Sequence, residues 1–224
     1  MGNFDCENQL HDGIWTYPLD LVWKGLQGSY ASLKEDVKAK YGVELTKVGS
    51  IGISAMMHGY LVFDKDGKQL VPFRTWRNTI TGEASRELTE LFQYNIPQRW
   101  SIAHLYQAML KGEEHVPEID FMTTLAGYIH WQLTGEKTLG VGEASGMFPI
   151  DSATGDWNEE MLKKFEQLTR DQPWNIRDVL PRVLLAGQDA GRLTAEGSAW
   201  IKGLLPVGLP FAPPEGDAGT GMVA

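Results

Sequence analysis

The stretch VGSIGISAMMHGYLVFDKDGKQLVPF (48–73) decides the fold class of this chain. Its first part, VGSIGISAM, is short and rich in small residues, which predicts a buried strand that its neighbours approach closely. The second part places Asp66 and Gly67 between two apolar runs, and this arrangement is a strong signal for a β-hairpin. We therefore expect strands in the early part of the chain.

Helical patterns occupy most of the remaining sequence. Over 19–42 the apolar residues recur every three or four positions, and Gly42 marks the end of the pattern. Further helices are predicted over 81–93, 101–110, 119–133, 157–168 and 194–202, with Gly135 ending the third of these and with Asp156 and Thr194 as N-caps of the last two. The segment LPVGLPF (205–211) predicts the entry into a final strand. Strands and helices in this order predict an α/β domain.

The composition disfavours several classes of function. A formal net charge of −9 and a pI near 5.0 argue against nucleic-acid binding, which needs a basic surface. Cys6 is the only cysteine and the histidines lack metal-binding spacing, so we predict neither an internal disulfide nor a metal site. The apolar stretches are too short to cross a membrane, and the first residues do not resemble a secretory signal. We therefore expect a cytoplasmic protein with no membrane or nucleic-acid partner.

Two segments carry candidate ligand-binding residues. Met57, His58 and Gly59 lie where the predicted strand ends, a usual place for ligand contacts in α/β domains. A neutral imidazole offers one donor and one acceptor to sugar hydroxyls, although a histidine in such a place is more often a core histidine held by a backbone carbonyl. Trp76 and Asn78 combine an aromatic face with a polar group, which is typical of a sugar pocket.

In the closing segment PPEGDAGTGMVA (213–224), Asp217 stands among small residues. We interpret it as a carboxylate at the turn into a helix, where the helix amides favour the ionised form. Such a carboxylate is suited to act as a general base toward a substrate hydroxyl. A glycine-rich tail without fixed structure is the alternative, because chain ends often fray.

In this order, four motifs resemble the N-terminal domain of the FGGY carbohydrate kinases, most closely its xylulose kinases. They are IGISAMMHGYLVFDKDG (51–67), PFRTWRNT (72–79), GYIHWQLTGEKTLGVGEASGMFPID (127–151) and LPVGLPFAPPEGDAGTGMVA (205–224). The resemblance implies a ribonuclease H-like domain of the actin, hexokinase and sugar kinase superfamily, with a mixed sheet flanked by helices. It also implies that residues 1–224 form one sugar-binding domain that is incomplete at its N-terminus. The opening phosphate-binding strand and the C-terminal domain would then lie outside this chain.

The same resemblance implies a reaction, namely ATP-dependent phosphorylation of a sugar hydroxyl, with a ketopentose such as xylulose as the substrate. Asp217 would be the general base, Met57, His58 and Gly59 would hold the sugar, and Trp76 and Asn78 would form the pocket wall. ATP and Mg²⁺ would be bound largely by parts outside this chain, which alone would be inactive, and the full-length protein could form a homodimer. Ala218 and Ile80 depart from the family pattern, which has Asn and Arg at these positions, so the identity of the sugar stays open.

Two other functions are compatible with these residues. The first is a non-catalytic sugar-binding or regulatory module. The second is a glycosidase that uses Glu215 and Asp217, which is disfavoured because residues i and i+2 share one face of a strand, whereas hydrolysis needs carboxylates on both sides of the bond.

Overall fold

The computed structural model describes residues 9–223 and confirms an α/β fold with both parallel and antiparallel strand pairs. The strands are β1 (Gln9–His11), β2 (Ile14–Thr16), β3 (Ser54–Ala55), β4 (Leu61–Phe63), β5 (Phe121–Thr123), β6 (Thr138–Gly140), β7 (Ile150–Asp151), β8 (Asp156–Trp157), β9 (Arg182–Leu184) and β10 (Glu215–Gly216). The helices are α1 (Leu19–Tyr41), α2 (Gly82–Phe92), α3 (Ser101–Leu110), α4 (Leu125–Thr134), α5 (Val141–Ala144), α6 (Glu159–Leu168), α7 (Ile176–Val179), α8 (Ala195–Trp200) and α9 (Asp217–Val223). Within the described part, β3 pairs with β10 and β6 with β9 in parallel, whereas β1–β2, β4–β5 and β7–β8 are antiparallel.

Helix α1 forms where the apolar spacing predicts it. It ends at Gly42, whose φ of 67° lies in the left-handed region and whose amide donates to the Lys38 carbonyl. Its buried face includes Trp23, which stacks on Trp200 with ring centroids 4.9 Å apart and donates to the Tyr128 hydroxyl at 3.1 Å. These contacts attach α1 to helices α4 and α8.

The predicted hairpin is confirmed around β4. Gly67 has a φ of 76°, and Oδ1 of Asp64 accepts hydrogen bonds from the amides of Asp66 and Lys68, so the turn is held by local contacts. All three residues of β4 are buried, with Val62 in one hydrophobic cluster and Leu61 and Phe63 in another. Strand β4 therefore separates two halves of the core.

The segment 48–56 is less buried than predicted. Only Ser54 and Ala55 form β3, Ser54 is exposed, and the described residues offer this strand one partner, β10. Small side chains bury little apolar surface, and a strand paired on one side keeps its other edge open to solvent. The predicted strand entry near 205–211 appears as a parallel bridge between Phe211 and Ile51, shortly before β10.

Two of the predicted helices are wrong at their N-terminal ends. Residues 121–123 form β5 instead of helix, because Phe121, Met122 and Thr123 pair antiparallel with β4. Helix α4 then starts after Thr124, whose hydroxyl accepts from the Gly127 amide. Helix α6 starts at Glu159 with Asn158 as N-cap instead of Asp156, because Asp156 and Trp157 form the hairpin strand β8 against β7. In both places strand pairing overrides the helical pattern, with a distant strand for β5 and with a local hairpin for β8.

The other helical predictions are confirmed. Helix α3 has the predicted bounds, α2 lies within 81–93, and α8 starts after the Thr194 cap. Gly135 ends α4 with a φ of 80°. Within residues 9–223 no helix has the length and apolar character that a membrane span requires.

Candidate active site

The candidate site lies where the parallel strands β3 and β10 end. Met57 follows β3, and Asp217 follows β10 directly as the first residue of α9. Because parallel strands end at the same edge, the backbone amide of Met57 lies 3.3 Å from Oδ1 of Asp217 and donates to it. A second contact joins the same elements, since the hydroxyls of Ser54 and Thr220 are 2.6 Å apart. The structure thus brings together two segments that the sequence separates by 160 residues.

His58 is half-buried beside this pair, in a left-handed conformation with a φ of 68°. The Nε atom of Arg99 donates to Nε2 of His58 at 3.0 Å, so this nitrogen is the acceptor of a neutral imidazole. Nδ1 then carries the proton and donates to the Gly146 carbonyl at 3.1 Å. Burial lowers the pKa of His58, which keeps the ring neutral. The ring is held by a backbone carbonyl, as in the alternative interpretation of the sequence, and its contact with a sugar stays a prediction.

The backbone conformation at residue 59 and the atoms packed against it require a glycine there. Its φ is 89°, and a Cβ atom would lie 2.7 Å from the Arg74 carbonyl oxygen and 2.7 Å from the Phe73 ring. A side chain at this position would therefore push the His58 segment out of place.

Gly216 has the same role on the other side of the site. A Cβ atom there would overlap Cγ of Met57 and a carboxyl oxygen of Glu143, and would lie 2.8 Å from the Met57 sulfur. Strand β10 therefore rests directly on Met57 and Glu143 and places Asp217 in register with the end of β3.

Glu143 and Glu215 lie close to Asp217 and are further residues of the site. Of these two acids, Glu143 was not predicted from the sequence. Glu143 is fully buried, and burial, followed by the nearby charges of Glu215 and Asp217, raises its pKa to about 8. Neither of its carboxyl oxygens makes a well-formed hydrogen bond within the described residues, although the Thr124 hydroxyl is close enough to favour the ionised form. Glu215 accepts from the Glu143 amide at 2.8 Å and packs against Gly140 and Gly142. The only sequence signal for Glu143 was an acid among small residues in GVGEASG.

Trp76 and Asn78 line an open cleft of about 520 Å³, and Arg99 at the edge of this cleft contacts His58. Trp76 is 46% exposed and forms one wall, together with Trp15 from β2. Asn78 is buried and its amide is committed to the backbone, because Nδ2 donates to the carbonyls of Trp15 and Thr75 while Oδ1 accepts from the Trp15 amide. Asn78 therefore fixes the position of Trp15, and Arg99, also missed from the sequence, joins this cleft to His58.

The arrangement offers one exposed carboxylate and a polar, aromatic surface beside it. One oxygen of Asp217 is held by the Met57 amide, and the other can accept a proton from a bound hydroxyl. Among the residues that the structure describes, no three acid, imidazole or thiol groups are arranged to hold a metal ion. The described residues thus fit proton acceptance from a substrate but do not by themselves fit a metal site.

Comparison with known proteins places the chain in a family. Residues 17–223 match the model of the FGGY family of carbohydrate kinases, N-terminal domain. The chain is 28% identical over 207 residues to the xylulose kinase of Escherichia coli, covering 86% of this chain and 37% of that protein. It is 25% identical to the xylulose kinase of Klebsiella pneumoniae over 83% of this chain and 36% of the relative. The chain therefore spans little more than a third of the length of these relatives.

Solved structures agree with this result at the level of the fold. A xylulose kinase from Rhodospirillum rubrum has a TM-score of 0.75 at 22% identity, covering 94% of this chain and 43% of that chain. A gluconate kinase from Lactobacillus acidophilus has the same TM-score at 15% identity, covering 96% of this chain and 42% of the other. With a family match over nearly its whole length, this chain belongs to the FGGY family of carbohydrate kinases and corresponds to their N-terminal domain.

Proposed function

We propose that this chain is the sugar-binding domain of an ATP-dependent carbohydrate kinase in which Asp217 is the general base. The relatives named xylulose kinase make a ketopentose such as xylulose the first acceptor to test. The proposal includes residues 1–224 as one domain. The opening phosphate-binding strand and a C-terminal domain would belong to other parts of the full-length protein.

One contact carries the proposal, the hydrogen bond of 3.3 Å from the Met57 amide to Oδ1 of Asp217. It places an exposed carboxylate beside the Met57–His58–Gly59 segment, to which we assign sugar binding. In phosphoryl transfer the protein contributes mainly positioning and charge stabilisation, so a single well-placed acid can serve as the base.

In the proposed mechanism a sugar hydroxyl lies against the free oxygen of Asp217. This carboxylate takes the proton as the hydroxyl oxygen attacks the γ-phosphorus of ATP, and the bond from this phosphorus to ADP breaks so that ADP leaves. Met57 and the fixed ring of His58 line the path of the sugar. Trp76 and Trp15 would form the far wall of the pocket, with Trp15 held in position by Asn78. ATP with Mg²⁺ supplies the phosphoryl group, and we assign its binding largely to parts of the protein outside this chain.

The remaining parts of the proposal concern the protein as a whole. We place the kinase in the cytoplasm, with the sugar and ATP as its small-molecule partners and without nucleic-acid or membrane partners. A homodimer of the full-length protein belongs to the same proposal, and size-exclusion chromatography with light scattering tests it.

A coupled ADP-release assay on the full-length protein, run across ketopentoses and polyols, tests the reaction. We expect Asp217→Asn to lose turnover while sugar binding survives, because the amide keeps the size of the carboxylate but cannot take the proton. Asp171→Asn is the matched control, since the Asp171 side chain is 87% exposed and belongs to none of the site elements. Near-normal turnover by Asp217→Asn would remove this residue from the mechanism.

A non-catalytic sugar-binding or regulatory module is the second candidate function. It would need only the aromatic and polar cleft that Trp15, Trp76 and Asn78 line. Sugar-dependent quenching of tryptophan fluorescence in the full-length protein, without ADP release from any sugar, would support this candidate over the kinase.

A further inference from the structure

The cleft beside His58 combines two aromatic walls with two guanidinium groups. Its lining includes Trp15, Trp76, Arg77 and Arg99, and the other lining residues are neutral and polar, with no acid among them. Sugar hydroxyls can be bound by neutral donors and acceptors alone, so two arginines in one cleft call for an explanation.

Arg77 is held over aromatic rings. Its guanidinium carbon lies 5.2 Å from the ring centroid of Trp15 and 5.6 Å from that of Trp76. Such stacking orients the group but leaves its N–H edge free to meet a planar anion with two parallel hydrogen bonds. Among the described residues, Arg77 forms no ion pair with a carboxylate.

Arg99 is oriented by a different contact. Its Nε donates to the neutral His58 ring at 3.0 Å, which leaves both terminal nitrogens of the guanidinium available at the cleft. A neutral imidazole does not compensate the positive charge, and within the described part of the chain Arg99 also has no carboxylate partner.

Several arginines elsewhere in the described part of the chain have an acidic partner. Arg74 is paired with Glu113, Arg177 with Glu159 and Glu166, and Arg182 with Glu136, whereas Arg86 and Arg192 also form no ion pair with the described residues but do not line this cleft. The protein also carries a net charge of −9. Two arginines without an acidic partner, both facing one cleft in an acidic protein, therefore favour a ligand that supplies the negative charge itself.

We propose that Arg77 and Arg99 bind an anionic group of the sugar substrate, a carboxylate or a phosphate, at the end remote from the hydroxyl that Asp217 deprotonates. Asp217 contacts Met57, the next residue His58 contacts Arg99, and Arg99 lines the cleft, so these residues form one continuous surface. A chain-like sugar could therefore place a hydroxyl at one end of this path and an anion at the other. This inference rests on the proposed kinase reaction and narrows its acceptor from sugars in general to anion-bearing sugars.

The test compares acceptors of equal length on the full-length protein. Xylonate, xylulose and xylulose 5-phosphate are each assayed for ADP release with saturating MgATP. We expect kcat/KM for one of the two anionic sugars to exceed that for xylulose by about 10-fold or more, since hydrogen bonds between charged groups are the strong ones. A preference for xylonate identifies the group as a carboxylate, and one for the phosphate ester identifies it as a phosphate. Added salt should weaken the preference.

Arg77→Gln provides the decisive comparison, because it keeps a polar side chain but removes the charge. It should reduce the ratio of kcat/KM for the preferred anionic sugar over xylulose by about 10-fold or more, mainly through KM. Arg86→Gln is the matched control on the exposed face of α2 and should leave the ratio unchanged.

The outcomes separate the two proposals. Phosphorylation of xylulose with no preference for either anionic sugar overturns the anion subsite and leaves the kinase proposal standing. If no sugar is phosphorylated, the kinase proposal fails, and calorimetric titration with xylonate and xylulose 5-phosphate tests the subsite directly. Binding that Arg77→Gln abolishes and Arg86→Gln retains then supports the subsite, and absence of binding overturns it.

Discussion

Replacing Gly216 by alanine tests whether the contact of β10 with Met57 and Glu143 sets the position of Asp217. The added Cβ atom would overlap Cγ of Met57 and the Glu143 carboxyl group and would lie 2.8 Å from the Met57 sulfur. Glu143 is fully buried and cannot swing into solvent, so Met57 or the strand itself has to move. An extra methyl group in a packed site typically costs about 1–3 kcal/mol, and we expect a loss of this size in the free energy of unfolding.

The same substitution should also reduce activity. Asp217 follows Gly216 directly in the chain, so any displacement of β10 displaces the carboxylate. A misplacement of about 1 Å can reduce a rate by about 100-fold, and we expect kcat/KM of Gly216→Ala to fall by roughly 10- to 100-fold.

Urea unfolding and the coupled ADP-release assay on the full-length protein measure the two effects. Gly28→Ala is the control, because Gly28 lies in α1 with nothing within 4 Å of a new Cβ atom. In a helix interior alanine is favoured over glycine by about 0.5–1 kcal/mol, so this variant should be slightly stabilised and fully active. Wild-type stability and activity in Gly216→Ala would refute the reasoning, since they would show that Met57 and Glu143 do not hold the turn.

Three further predictions test separate parts of the structure. Burial raises the pKa of Glu143 from an ordinary 4.5 to about 8, so between these pH values the unfolded chain ionises while the folded protein keeps the proton, and the stability contributed by this group falls as pH rises. The Glu143→Gln side chain cannot ionise, so its free energy of unfolding should rise relative to that of the wild type, on the order of a few kcal/mol, as the pH increases from about 4.5 to 8. A difference between the two proteins in urea unfolding that stays constant over this pH range would contradict the raised pKa. Asn158→Ala should cost about 1 kcal/mol because it removes the cap of α6, and Asp156→Ala should cost less in the same urea titration; equal losses would contradict the cap. In Gly197→Ala the new Cβ would overlap the Leu133 carbonyl and force α8 from α4, so we expect a loss of about 1–3 kcal/mol, and an unchanged unfolding midpoint would exclude that close contact.

The parts of the fold that could be predicted from the sequence depend on local interactions. Helix α1 needs only its apolar spacing and Gly42, and the hairpin after β4 needs only Asp64 and Gly67 to form its turn. The part that could not be predicted is β5, because FMTTLAGYIHWQL is apolar enough to continue as one helix. Only the pairing of Phe121–Thr123 with β4, a strand some 60 residues earlier, makes it a strand.

The candidate site likewise has features that the sequence predicts and others that only the tertiary structure decides. By itself the sequence determined the family resemblance and the residue types at Met57, His58 and Asp217, because these belong to short motifs that can be recognised without their surroundings. The tertiary structure alone decided that the Met57 amide meets Asp217, that Arg99 orients His58, and that Glu143 lies buried beneath them. These contacts join residues 41 and 160 positions apart, and spacing along a chain carries no information about which distant segments the folded core brings together.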